Sequence, residues 1–148
     1  MFKHILIPTD GSELSAKAAR QAVMLAKAVG AEVTGFYAAP DYDNTAYFGA
    51  GYTLRVPSPK DHAELSQKQA REYLSTIEVE AGIEKVPCAV FHEVSDSPYE
   101  AIIDAAKKKK CDLIVMASHG RRGLSALVVG SETHKVLIHS KIPVLVCR

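Results

Sequence analysis

The chain lacks any apolar run approaching the roughly 20 residues a helix needs to cross a bilayer. Its N-terminus, Met1-Phe2-Lys3-His4, leads into only a few apolar residues before Pro8, so it has no signal-peptide core. Neither sign of charge is in excess. A formal net charge of +1 gives no global electrostatic reason to expect nucleic acid or an anionic membrane, and we expect neither as a partner. Cysteine is scarce, with only Cys88, Cys111 and Cys147, widely spaced in or beside apolar runs. That pattern suits reduced, buried thiols of a cytoplasmic protein and excludes a disulfide framework or a metal-ligand motif.

What is present is enough apolar residue, 47% of the 148 positions, to bury one substantial core, so residues 1–148 are expected to form a single domain. Ile5-Leu6-Ile7, closed by Pro8-Thr9-Asp10-Gly11, reads as a buried strand over 3–8 and a turn. Ser12 caps the next helix, whose inner side carries Leu14, Ala18, Ala22, Leu25 and Val29 and which Gly30 stops. Residues 32–38 read as a second strand weakened by Gly35.

Residues 39–60 break periodicity with Asp41, Asn44, Gly49, Gly51, Pro57 and Pro59, and carry Tyr42, Tyr47, Phe48 and Tyr52. This is either a lid or binding loop or an irregular loop that packs its own aromatics. A helix is expected from Asp61 to about Ala81, with Leu65, Ala70, Tyr73, Leu74 and Ile77 inward and Gly82 ending it. Pro87 opens a strand over Cys88–Val94. Ser97-Pro98 starts a helix with Tyr99, Ile102, Ile103 and Ala106 on one face, ending in the solvated Lys107–Lys110 run. Asp112–Met116 is a very apolar strand, Glu132 to about Ser140 a short helix with Val136 and Leu137 inward, and Val144–Cys147 a last strand. Strands and helices alternate throughout. This predicts an α/β, doubly wound, Rossmann-like domain: a five-stranded parallel sheet with helices on both faces.

In such sheets ligands bind beyond the carboxyl ends of strands, where the strand order reverses. With order 3-2-1-4-5 the crevice lies between strands 1 and 4. It would then bring Pro8, Thr9 and Asp10 together with the segment Ala117-Ser118-His119-Gly120-Arg121-Arg122-Gly123 and its continuation to Gly130-Ser131. Glycines allow close backbone approach, a helix start offers unpaired N–H groups, and arginines add fork-shaped donors; these are the parts of a phosphate cradle. The order 2-1-3-4-5 would suit a phosphoacceptor receiver, but strand 5 ends in Cys147-Arg148 without the lysine such a site uses. Other readings stay open. Asp10 orders its own turn or contacts a ligand, Ser131 caps a helix or binds phosphate, and His119 is a solvated loop residue unless it lies on a ligand.

The residues Lys3-His4-Ile5-Leu6-Ile7-Pro8-Thr9-Asp10-Gly11-Ser12, Cys111-Asp112-Leu113-Ile114-Val115-Met116-Ala117-Ser118-His119-Gly120, and Gly130-Ser131 with Lys135-Val136-Leu137 and Pro143-Val144-Leu145-Val146 resemble the universal stress proteins over nearly the full chain. The ATP-binding branch of that family carries G-x-x-G, nine residues, then G-[ST]. Gly120 and Gly130-Ser131 match at the right spacing, with Ala117 at the first glycine position. The resemblance implies that Asp10, with Pro8 and Thr9, lies near adenine or ribose and that Ala38 borders the base. It implies that Met116 and Ala117 lie beside the ribose and that Gly120, Gly130, Ser131 and Thr133 cradle phosphates. His119, Arg121 and Arg122 join that candidate site. The family often has an apolar residue where this chain has Glu132. Facing inward at about 4 Å, a carboxylate would repel a phosphate by on the order of 4 kcal/mol at an effective dielectric near 20. Glu132 must therefore point away, or the ligand must carry less charge than ATP.

The function implied is an adenine-nucleotide-binding stress-response protein. It would bind ATP, ADP or AMP, with or without Mg2+, as a sensor or regulator rather than a fast catalyst. No Walker lysine follows the glycines, and no general base is aimed at a γ-phosphate. The alternative is a dimeric interaction scaffold of the same fold without nucleotide. The apolar last strand, 142–147, has no following helix to cover it and predicts a homodimer through that edge. On this reading Gly130→Val abolishes binding and leaves the fold intact.

Overall fold

A computed structural model describes residues 1–42, 57–121 and 129–148. The elements are β1 (His4–Pro8), α1 (Glu13–Val29), β2 (Glu32–Ala39), α2 (Pro59–Glu84), β3 (Cys88–Val94), α3 (Pro98–Lys108), β4 (Leu113–Ala117), α4 (Ser131–His139) and β5 (Val144–Cys147). The five strands form one parallel sheet in the order β3-β2-β1-β4-β5. This is the expected doubly wound order, with its reversal between β1 and β4.

Successive side chains on a strand point to opposite faces, so β1 feeds two cores. Ile5 and Ile7 join Val33, Leu113 and Val115 under α1 and α2. Leu6 joins Phe36, Ile114 and Met116 under α3 and α4. Ile5, Leu6 and Ile7 have no exposed surface, which is the reason an unbroken apolar triplet reads as the central strand. In β2, a side chain at Gly35 would press on Ile77 and Val90, so the glycine lets α2 approach the sheet closely.

Several local expectations change. Ala18, Ala19, Ala22, Val23 and Ala26 form the buried stripe of α1, while Leu14, Leu25 and Val29 pack at its margin. Helix α2 starts at Pro59 rather than Asp61, because Ser58 and Asp61 form a reciprocal capping box. It continues through Gly82 to Glu84. Lys85 takes the left-handed turn with φ 57° and donates its N–H to Ala81 O, so Gly82 is not the stop. Leu65, placed inward by spacing, is exposed. On α4, Thr133 and Val136 face inward, and Leu137 is exposed because the short helix turns that position outward. Cys111 and Cys147 are buried as expected, but Cys88, at the start of edge strand β3, is exposed.

Tyr47, Phe48 and Tyr52 of the aromatic loop lie outside the described residues, as do 43–56 as a whole. The two flanks of that segment are tied together: Tyr42 OH donates to Pro57 O at 2.9 Å, and its ring stands edge-on to His62. No helix among the described residues is long and apolar enough to cross a membrane.

Candidate functional site

The turn after β1 is built from its own side chains. Gly11 has a φ of +74° and its N–H donates to Thr9 Oγ1, while Ser12 N donates to Asp10 Oδ1 at 3.0 Å. Ser12 in turn accepts Ser15 N at 3.1 Å and so starts α1. Pro8 is buried and Thr9 N donates to Phe36 O, which ties the turn to the end of β2 where Ala38 lies half-buried.

Beyond β4 the chain is held from three sides. Ser118 N donates to Cys147 O, Gly130 N donates to Ser118 O, and both bonds are 2.8 Å. Thr133, 4% exposed, donates its hydroxyl to Ala117 O at 2.9 Å. The helix α4 is thereby stapled to the end of β4. Met116 and Ala117 are both buried, and His119 Nδ1 shares a hydrogen bond with Ser118 Oγ at 2.9 Å.

The crevice between β1 and β4 is bridged by Asp10, which accepts Arg121 N at 2.8 Å. Burial pushes the Asp10 carboxyl up, but the hydrogen bonds from Ser12, Arg121 and Ser15 outweigh it and hold the group below its ordinary value. The glycines permit these approaches. A side chain on Gly120 would collide with Asp10 Oδ2, and one on Gly130 would meet His119 Cα at 3.0 Å. Gly130→Val therefore cannot test the site with the fold untouched, since the backbone around His119 would have to move.

Gly130 is the N-cap of α4 and has no side chain to cap it, so the first amides of the helix receive no acceptor from that residue. Ser131 is the first helical residue and not the cap. Glu132 points away from the β4 loop. Its Oε2 accepts Tyr99 N and its Oε1 pairs with Lys135 Nζ, each at 2.9 Å. The helix start is left positive in character, which suits an anion. Arg122 lies outside the described residues.

The chain matches the universal stress protein family over residues 1–148. It belongs to that family. The universal stress protein YxiE of Bacillus subtilis is 34% identical over 151 residues, covering 100% of both chains. Among solved structures, a universal stress protein in complex with cAMP superposes with a TM-score of 0.72 at 19% identity, over 99% of this chain and 97% of that one. The universal stress protein of Archaeoglobus fulgidus in complex with dAMP gives 0.65 at 17% identity, over 100% and 98%. At these identities the two structures establish the shared fold.

Within this universal stress protein the candidate residues fall into groups. Thr9, Asp10, Ala117, His119, Gly120, Arg121 and Gly130 lie in the segments joined by the bonds and close approaches above, with Pro8 buried at the end of β1 and Ser131 at the helix start. Thr133 belongs to the staple beneath them, and Glu132 faces α3. Tyr73, which helical spacing marks only as core, escaped the sequence reading as a site residue. It lies against Gly11 on one side, stands edge-on to Tyr37 with ring centroids 5.1 Å apart, and carries the Arg121 guanidinium 4.7 Å from its ring centroid. Nothing in the local pattern of α2 signals that contact. Among the described residues no cluster of three His, Cys, Asp or Glu could hold a metal ion.

Proposed function

We propose that this universal stress protein binds an adenine nucleotide (ATP, ADP or AMP) in the crevice between β1 and β4, and acts as a sensor or regulator rather than as a fast catalyst. The observation that carries the reading is the convergence of three segments. The β1 turn reaches the β4 loop through Asp10 and Arg121 N, and the side-chain-free cap of α4 reaches the same loop through Gly130 N and Ser118 O. The amides of Ser131 and its neighbours at the start of α4 suit phosphate oxygens. Ala38, Met116 and Ala117 offer the apolar borders that a base and a ribose need. Glu132, turned onto Tyr99, removes the repulsion that would oppose a triphosphate. Two relatives of the same fold were solved with cAMP and with dAMP, which supports the ligand class. Any Mg2+ would enter on the phosphates, because the Asp10 carboxylate is committed to two amides.

The same reading includes a homodimer through residues 142–147 and a cytoplasmic location in which Cys111 and Cys147 stay reduced. Strand β5 is the last strand of the sheet order, and Leu145 on it is exposed. The opposite edge, β3, carries the Lys108–Glu93 ion pair and Lys109 over Phe91, charges that discourage edge pairing. One observation favours the scaffold alternative: Asp10 and Thr133 already spend their polar atoms on internal bonds.

Mass spectrometry of ligand released from the purified protein, followed by calorimetric titration with ATP, ADP, AMP and cAMP, separates the two. Saturable binding supports the nucleotide reading. No heat at millimolar nucleotide refutes it in favour of the scaffold.

A further inference from the structure

At the end of the sheet opposite the β1–β4 crevice, a groove of about 370 Å³ opens between the C-terminal turns of α1 and α2. Backbone bonds hold its walls in place: Glu32 N donates to Lys3 O, Val33 N to Pro87 O, and Ala31 N to Ala26 O. Lys85 is fixed by its left-handed turn and by the bond from its N–H to Ala81 O. The groove therefore exists before any ligand arrives. Its floor is apolar, since Ala26, Ala31 and Val86 are buried, and the two alanines leave its depth open. Its rim is cationic. Lys3, Lys27 and Lys85, all exposed, line it with a single carboxylate, Glu32. Glu32 pairs with His4 and Lys27 with Glu84, whereas Lys3 and Lys85 have no ion-pair partner among the described residues. The Lys107–Lys110 run and Lys141 lie at the same end of the sheet, ahead of β4 and β5. A chain with a formal net charge of only +1 thus gathers lysine at one pole.

We propose that this groove docks an acidic segment of a partner protein: its carboxylates pair with Lys3 and Lys85, and one apolar side chain rests on the floor between them. Charge complementarity sets the sign of the partner. The amides of Gly30, Ala31 and Val86 are spent on carbonyls of the preceding helix turns, so the lysine heads are what remains to recognise it. The recessed floor sets its kind. It takes a side chain that protrudes from a peptide, whereas a bilayer surface needs apolar groups that project into it. The lining holds no arginine and no aromatic ring to grip nucleic-acid bases. A preformed groove also adds little ordering cost to binding. It shares no residue with the crevice, so partner and nucleotide can be held at once, and the inference stands independently of the nucleotide reading.

The test is fluorescence anisotropy of a labelled peptide, with glutamates on either side of one leucine, titrated with the full chain. Binding is saturable and weakens as salt is added. Lys3→Glu/Lys85→Glu weakens it by on the order of tenfold or more. Lys60→Glu/Lys68→Glu, in the N-terminal half of α2, makes the same change in net charge away from the groove and leaves affinity within about twofold. All four lysines are exposed, so the variants keep the fold. A peptide with serine in place of leucine binds about tenfold more weakly, the loss of one buried apolar side chain. No binding at millimolar peptide overturns the proposal, as does equal weakening by both double variants or indifference to the leucine. Tighter binding to labelled single-stranded RNA, or to vesicles containing phosphatidylserine, with the same dependence on Lys3 and Lys85, overturns it in favour of a nucleic acid or a membrane.

Discussion

The carboxylate of Glu132 accepts the backbone N–H of Tyr99 at 2.9 Å, so a side chain on α4 completes the N-terminus of α3. Ser97, at the cap position of α3, makes no side-chain cap bond of its own. Glu132 supplies the missing acceptor and places a negative charge at a helix start. Lys135 pairs with the same carboxylate and lies over the Tyr99 ring. Glu132→Ala should destabilise the protein by about 1 kcal/mol, the usual cost of a lost cap, read from urea denaturation midpoints. Glu132→Gln, which still accepts the amide, should cost less. Since the side chain faces α3, Glu132→Gln should leave ATP affinity within about twofold of wild type. A large gain in ATP affinity would show instead that the carboxylate opposes the phosphates.

The three thiols should divide by environment. Burial, followed by the charges of Asp112 and Glu32, pushes the Cys111 thiol up to about 12. Burial also raises Cys147. Both stay protonated and enclosed at pH 8, and a neutral buried thiol is a poor nucleophile. Cys88 is exposed, although partial burial and Glu78 raise its thiol as well. Iodoacetamide at pH 8 should therefore add a single, slow label at Cys88 in the native protein and three labels in denaturant. Rapid native labelling of Cys111 would contradict its packing.

Acid should loosen the N-terminal strand. Asp112 accepts Lys3 N at 2.9 Å and His4 N at 3.0 Å. Burial raises its carboxyl, but the His4 and Lys3 amides outweigh that and leave it below its ordinary value. A carboxylate whose folded value is lowered stabilises the fold fully above the unfolded value, and that stability is lost as pH falls through the folded value. Stability should thus decline below about pH 4, where unfolded aspartates begin to bind protons. Asp112→Asn should lower stability at neutral pH and flatten the acid decline, measured as denaturation midpoint against pH. An unchanged acid profile would remove Asp112 from that role.

The two sheet edges should behave differently. Leu145→Arg on β5 should convert a dimer to a monomer in sedimentation at micromolar concentration. Val94→Arg on β3, also an exposed edge position, should leave the dimer intact. Wild type that sediments as a monomer would refute pairing through β5.

Most of the fold is legible in local chemistry. Apolar runs bounded by proline or glycine mark β1 and β4, and Pro143 opens β5. Ser12 and Gly30 bracket α1, and Ser97-Pro98 opens α3. Where those signals failed, packing had overridden them. Gly82 sits inside α2 because burial of Ala81 and Val86 carries the helix on until Lys85 can turn. Leu65 and Leu137 have the spacing of core residues but are exposed among the described residues.

At the site, the residue types that reach the crevice could be read from the sequence, since strand alternation and the order of elements place Asp10, Ala117 and Gly120 after β1 and β4 and Gly130 at the start of the following helix. Their roles there are set by contacts that exist only in the folded chain. Asp10 binds Arg121 N, Gly120 yields room to Asp10, Thr133 bonds Ala117 O, and Glu132 turns to Tyr99. Each of these is a contact between segments distant in sequence. Local propensity carries information about a residue's own turn, whereas a hydrogen bond formed across the sheet depends on where folding brings its partner.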